Sequence, residues 1–425
     1  MKDNEIENQP GCEDELNTGL LTVDEARARI LEAVNMISDT HTAALRDALG
    51  RVLATDVVSP VDVPAHTNSA MDGYAVRAVD LPADGTRTFP VLGTSWAGRP
   101  YIGPIGPGEA VRIMTGGVMP EGMDSVVMQE QVEIDADNNS VLIGTGHSAG
   151  QNARAAGEDV EAGQTVLSAG RRLTAADIGV LASLGLGKVS IYRKLRVAFF
   201  STGDELRAVG EPLSPGEIYD SNRYTLYGML KKLDVEIIDM GVVRDQRELI
   251  EQAFTDAAAS ADAIITSGGV SVGESDFVKE TLEKLGDMSF WKIAMKPGRP
   301  VTFGHIKDAV FFGLPGNPVS VMVTFFQFVR PALLKMTGDS GTLDAYTLHA
   351  RTTTALRKHP GRYEFQRGVL QQTAPGEFSV RSAGAQGSGI LRSMSEANCF
   401  ILLDPDRTRV EVGEVVEVQP FQNLI

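Results

Sequence analysis

Three loops of this 425-residue chain carry side chains suited to holding an anion and a divalent cation together. STGDEL (201–206) sets two hydroxyls and a glycine beside Asp204 and Glu205. SGGVSVGESD (267–276) offers Ser267, Gly268, Gly269 and Ser271 ahead of Asp276, and LPGNPVS (314–320) is a rigid turn built on Pro315 and Pro318. Glycines let backbone N–H groups approach an anion, and a following helix N-terminus adds a favourable dipole. WKIAMKPGRP (291–300) adds positive charge. Lys292, Ala294 and Lys296 alternate with Ile293 and Met295, so a strand here would send both ammonium groups to one face, either as an anion clamp or as a solvated sheet edge.

Asp72, Asp159 and Asp245 stand near Gly or Arg at apparent element ends. Singly, such residues ordinarily cap turns. As a group with Glu205 and Asp276 they match Mg2+, which takes oxygen ligands and is commonly held by one or two carboxylates plus substrate phosphate. There is no GxxxxGK[ST] loop, GxGxxG fingerprint or His/Cys cluster, which argues against P-loop, dinucleotide and zinc chemistry.

The elements around these loops alternate. VAFF (197–200), VEIIDMGVV (235–243) and AIIT (263–266) read as strands, and 221–233, 247–259 and 276–285 as helices. WKIAM, VTFG and AVFFG then read as strands before a long apolar helix after Pro318. That order predicts a three-layer α/β domain with a mostly parallel sheet, whose ligands bind beyond the carboxyl ends of the strands. Residues 61–159 read as β-rich with tight turns, and the last eighty or so as a small barrel or sandwich. Thr22 with Glu25 forms a capping box for a helix bearing Ala26, Ile30, Val34 and Ile37, and Thr174 caps another that runs to Ala182. Residues 1–18 hold six acids against Lys2 and read as a disordered tail.

Composition is that of a globular protein of several domains, with 43% hydrophobic and 22% charged residues. A net charge of −17 argues against a general nucleic-acid or anionic-lipid surface. Screening over about 8 Å leaves a local anion pocket unaffected. No uninterrupted apolar run reaches the span of a bilayer and no secretory signal opens the chain, and with two cysteines far apart a cytoplasmic location is expected.

The motifs DVPAHTNSAMDGYAV (62–76), RIMTGG (112–117), GEDV (157–160), FSTGDEL (200–206), IYDSNR (218–223), TSGGVSVGESD (266–276), KIAMKPGRP (292–300), GLPGNPVS (313–320) and FQRGVL (365–370) occur in one order. In these the chain resembles the MoeA family of molybdopterin molybdenumtransferases, to which the gephyrin E domain is related. The resemblance implies a connecting domain from 19–61 with 159–192, a β-rich inserted domain at 62–158, an α/β molybdopterin-binding domain at 193–338 and a C-terminal β-barrel at 339–425. It implies an elongated homodimer with sites shared between subunits, Asp72 and Thr115 of one chain facing the α/β domain of the other. The implied reaction joins molybdate to adenylylated molybdopterin and releases AMP, with Mg2+ as cofactor.

Catalytic positions of that family fall on Asp72, Thr115, Asp159, Glu205, Asp245 and Asp276, with Glu205 and Asp276 at the metal. Substrate would be held by Ser267, Gly268, Gly269, Ser271, Lys292, Lys296, Pro315, Pro318, Arg367 and Ser388. Arg299 and His66 depart mildly from the family pattern, standing where lysine and an aromatic are frequent. Partners implied are the adenylyltransferase and other molybdenum cofactor proteins. Two alternatives follow from the same resemblance: an adenylyltransferase that makes the adenylylated pterin, and a gephyrin-like scaffold without catalysis. The first needs only the α/β domain, and the second has no use for the acids and lysines.

Overall fold

The computed structural model describes residues 20–268, 277–341 and 343–421. The acidic tail, Gly269, Ser271 and Asp276 lie outside the described residues. The chain divides into two compact units, one made of the chain up to His41 and from Tyr192 onward, the other of Thr42–Ile191.

In the first unit, short apolar runs rich in β-branched and aromatic residues form the strands β1 (Arg196–Thr202), β2 (Glu236–Val243) and β3 (Ala263–Ser267). Between them run the helices α1 (Ser221–Lys232) and α2 (Arg247–Ser260), and α3 (Phe277–Leu285) follows β3. β4 (Gly286–Lys292), β5 (Pro300–Ile306) and β6 (Ala309–Leu314) complete a six-stranded sheet of order 2-1-3-6-5-4. β2, β1, β3 and β6 are parallel, whereas β6–β5, joined by a tight turn at 307–308, and β5–β4, joined through 293–299, are antiparallel. The mostly parallel α/β sheet expected from the sequence is therefore present.

Both faces are covered, as the near-continuous hydrophobicity of the central strands requires. Val197, Phe199, Ile265 and Phe312 face α1 and the long helix that begins at Pro318. Ala198, Phe200, Ile264 and Phe311 face α2 and α3. Phe254 of α2 is fully buried between Phe200 and Phe311, edge-on to each at 5.2 and 5.5 Å.

Helical backbone runs from Pro318 to Met336, with a π turn at Phe325–Val329. By length and composition it is the one helix among the described residues able to cross a membrane, yet most of it is buried in this core. The π turn has a cause in the sequence. Pro331 has no N–H for the Gln327 carbonyl four residues earlier and crowds it. Arg27 Nε takes that carbonyl instead at 3.2 Å, while its Nη2 donates to Gln327 Oε1 at 2.8 Å. Arg27 belongs to the helix Val23–Ala33, which starts at the expected Thr22–Glu25 capping box. It stops at Ala33, short of Val34, which stays buried as the cap.

Five strands, at 348–352, 363–374, 377–382, 399–403 and 415–420, close into a barrel through the pairing of 363–374 with 399–403. Its Phe365, Phe400 and Phe421 join the same apolar cluster as Phe326 of the long helix. The reading of WKIAM as one strand is corrected here. β4 ends at Lys292, and Met295–Lys296 pairs in parallel with Tyr363–Glu364 of the barrel sheet.

The second unit holds a six-stranded sheet built from residues 73–76, 87–95, 110–113, 125–128, 132–135 and 140–143. A separate core joins Leu53, Leu173, Leu181, Leu184 and Ile191, next to the helix Ala175–Ser183 capped by Thr174.

Phe254→Ala should lower stability by about 3–5 kcal/mol, the usual cost of emptying such an aromatic site. Urea denaturation followed by circular dichroism measures it, and a loss below about 1 kcal/mol would contradict the packing described.

Candidate functional site

The parallel strands bring three polar loops to one edge of the sheet. β1 ends in Ser201 and Thr202, β3 in Thr266 and Ser267, and β6 in Leu314 before the LPGNP turn. Register pairs Ser201 with Ser267 and Ser267 with Leu314, so the loops leave side by side. Strand alternation sends Ser201 and Ser267 toward α1, and Thr202 and Thr266 toward the other face. The hydroxyls of Ser201, Thr202 and Thr266 are buried and have no hydrogen-bond partner among the described residues. Buried polar groups are normally satisfied, and their clustering at strand ends is the signature of a site completed by ligand or water.

Gly268 continues from Ser267 at φ +91°, and its N–H donates to Leu314 O at 3.2 Å. A Cβ there would lie 2.7 Å from Thr202 O, so only glycine lets this loop lie against the end of β1. Asn222, the second residue of α1, ties the loops together. Its Nδ2 donates to Ser267 Oγ at 2.8 Å and to Gly316 O at 2.7 Å. It lies within the IYDSNR motif, but an Asn just after a helix cap reads from sequence as part of the helix start.

Acidic groups gather beside β1. Glu205 folds over Gly203, where a Cβ would meet its Oε2 at 2.5 Å. Asp245, after β2, donates its backbone N–H to Asp204 Oδ1 at 3.3 Å. Asp245 keeps solvent-open surface, but partial burial raises its carboxyl above the ordinary range, and the charges of Asp204 and Glu205 raise it further. No three His, Cys, Asp or Glu side chains among the described residues are already gathered as a metal cage. The carboxylates present are nonetheless oxygen donors whose mutual repulsion a hard divalent cation would relieve.

The cationic side is less simple than the sequence implied. Lys292 is exposed at the end of β4, whereas Lys296 is 3.6 Å from the buried Glu364 carboxylate. Arg367 is almost fully buried, and burial pushes its guanidinium down to about 10. Its Nη2 donates to Ala385 O and Gly387 O at 3.2 and 3.0 Å, and its Nε donates to Ser393 Oγ at 3.0 Å. Arg367 thus fixes the loop that carries Ser388. The Ser388 carbonyl accepts from Val319 N at 3.1 Å, which seats this loop on the helix start at Pro318. Strand ends, the Pro315–Pro318 turn and the Ser388 loop therefore belong to one unit.

In the second unit, Asp72 Oδ1 accepts from Thr115 N at 2.7 Å and from Thr115 Oγ1 at 2.8 Å, which holds its carboxyl below the usual range. Asp159 is exposed, with its backbone N–H bound to Val63 O at 2.9 Å. The unit thus pairs Asp72 with Thr115 on adjacent turns.

Polar loops at the end of a parallel sheet, joined to a closed barrel, define a multidomain α/β ligand-binding protein. Residues 21–185 match the MoeA N-terminal region (domain I and II), 198–335 the probable molybdopterin binding domain and 349–421 the MoeA C-terminal region (domain IV). The chain is 45% identical over 406 residues to a molybdopterin molybdenumtransferase of Haemophilus influenzae, covering 96% of this chain and 100% of that protein. A molybdopterin molybdenumtransferase of Nostoc is 38% identical, covering 89% of this chain and 88% of its own. The crystal structure of a molybdopterin biosynthesis MoeA protein from Pyrococcus horikoshii superposes with a TM-score of 0.82 at 30% identity, covering 94% of this chain and 100% of that one. The chain belongs to the molybdopterin molybdenumtransferase (MoeA) family.

The raised Asp245 carboxyl has a consequence for stability. Folding favours its protonated form, so its contribution becomes unfavourable as pH rises above the ordinary Asp value of 3.8. Asp245→Asn should therefore raise the melting temperature at pH 7, the gain fading as pH falls to 3.8. Thermal unfolding across that range checks it, and an equal or lower melting temperature at pH 7 would contradict the cluster described.

Proposed function

We propose that this chain inserts molybdenum into molybdopterin, taking molybdate and adenylylated molybdopterin and releasing AMP. The observation that carries the reading is the 45% identity to a molybdopterin molybdenumtransferase across the whole of that relative. The strand-end chemistry supports it. The buried hydroxyls of Ser201, Thr202 and Thr266, without a partner among the described residues, can donate to a nucleotide phosphate. The ammonium groups of Lys292 and Lys296 suit the molybdate oxyanion, through charge-assisted hydrogen bonds that replace its hydration. Arg367 acts by holding the loop of Ser388 against the Pro318 helix start.

Two anionic reactants repel each other, so the residues' main work is to neutralise and align them. Glu205, with Asp204 and Asp245 beside it and Asp276 from the sequence reading, would hold Mg2+, which supplies positive charge to the phosphate. Asp72 adds a further carboxylate, held by the Thr115 N–H and hydroxyl. By family resemblance the protein is a homodimer in which these two residues serve the partner's α/β domain.

Mixing adenylylated molybdopterin with the purified protein should release AMP only when molybdate is added, measured by chromatography. An adenylyltransferase, which forms that adenylyl bond, would release no AMP in response to molybdate, and neither would a scaffold. Lys296→Ala should raise the molybdate KM about tenfold, as expected for one charge-assisted contact. An unchanged molybdate KM would remove Lys296 from the oxyanion site.

Shared sites make a separate prediction. Asp72→Ala and Glu205→Ala chains, each inactive, should regain up to about a quarter of wild-type sites after unfolding, mixing and refolding, because half the dimers are mixed and each has one intact site. Demonstrated mixed dimers without recovered AMP release would contradict sharing.

A further inference from the structure

The strand-end site contains one group whose chemistry neither molybdate nor phosphate can satisfy. Asn222 stands at the start of α1, where Asp220 caps the helix by accepting from Arg223 N at 3.1 Å. Both N–H bonds of its amide are used, one on Ser267 Oγ and one on Gly316 O. The amide orientation follows from chemistry, since a backbone carbonyl only accepts and must face Nδ2. That leaves Oδ1 as the remaining polar atom, and it is buried without a partner among the described residues. The Ser201 hydroxyl, on the same face of the sheet as Ser267, is buried and unpartnered as well.

An unsatisfied buried acceptor is unfavourable and is normally completed by a donor. Molybdate and ionised phosphate oxygens are acceptors and offer Oδ1 nothing. A pterin amine, a pterin ring N–H and a sugar hydroxyl are donors. Building on the functional reading above, we infer that Asn222 determines specificity for the organic part of the substrate. Its amide donors lock the Ser267 and Gly316 loops at a fixed separation. Its Oδ1 accepts a hydrogen bond from the pterin or sugar of the pterin nucleotide. The molybdate subsite does not depend on it.

The asymmetry between the two substrates is what an experiment reads. Asn222→Ala should raise the KM for adenylylated molybdopterin about tenfold, the scale of one lost hydrogen bond, and leave the molybdate KM within about twofold. Ser267→Ala removes one partner of the amide with a smaller change and should raise the same KM in the same direction. The double variant should be no more than about twofold worse than Asn222→Ala, because the two residues share one bond. A merely structural role would lower the folded, active fraction and therefore kcat, leaving both KM values unmoved. Should Asn222→Ala fail to fold, the Ser267→Ala chain carries the same comparison. Variants whose pterin-nucleotide KM stays within twofold of an active wild type, or whose two KM values rise equally, would overturn this inference alone. A wild-type protein inert toward both substrates would overturn the functional reading and this inference with it.

Discussion

Parallel hydrogen bonding between β1, β3 and β6 is the constraint from which the site follows. Parallel neighbours must end at the same edge, so Thr202, Ser267 and Leu314 finish side by side although the sequence spreads them over more than a hundred residues. Crossover helices then bury both faces of the sheet and leave that edge as the place where polar loops can reach ligand. Phe199, Phe200, Phe311 and Phe312 are fully buried just behind it, giving the loops a stiff, apolar foundation. On that foundation Gly268 lies against Thr202, and Asn222 ties the second and third loops together.

A second wall comes from the barrel, and its attachment has a definite physical origin. Pro331 frees the Gln327 carbonyl, Arg27 binds it, and Gln327 Nε2 reaches Gln419 of the barrel at 2.6 Å. The same helix begins at Pro318, under the Ser388 loop that Arg367 holds. Lys296 sits on this seam, in a strand that belongs to the barrel sheet while its chain neighbours belong to the α/β sheet.

Much of this was legible in the residue order. The short apolar runs VAFF, AIIT and AVFFG located the central strands, and the Thr22–Glu25 capping box and the Thr174 cap located two helix starts. Strand-end glycines and serines pointed to the edge of the sheet. Other features left no periodic trace. A two-residue strand at Met295–Lys296 is too short to show that the chain changes sheets. Arg367 lies in a strand where an arginine reads as solvent-facing, because its burial depends on carbonyls from a loop some twenty residues later. Asn222 escaped for a similar reason, since its partners Ser267 and Gly316 are distant in sequence and close only through the fold.

If the sheet edge is the site, both substrates bind at the strand ends. Crystals grown with AMP and molybdate, measured near the molybdenum absorption edge, locate the metal by anomalous scattering and the nucleotide by density. The predicted result is nucleotide phosphate at the Ser267–Gly268 turn and a molybdenum peak within reach of Lys296 Nζ. Both ligands bound away from the carboxyl ends of β1, β3 and β6 would contradict it.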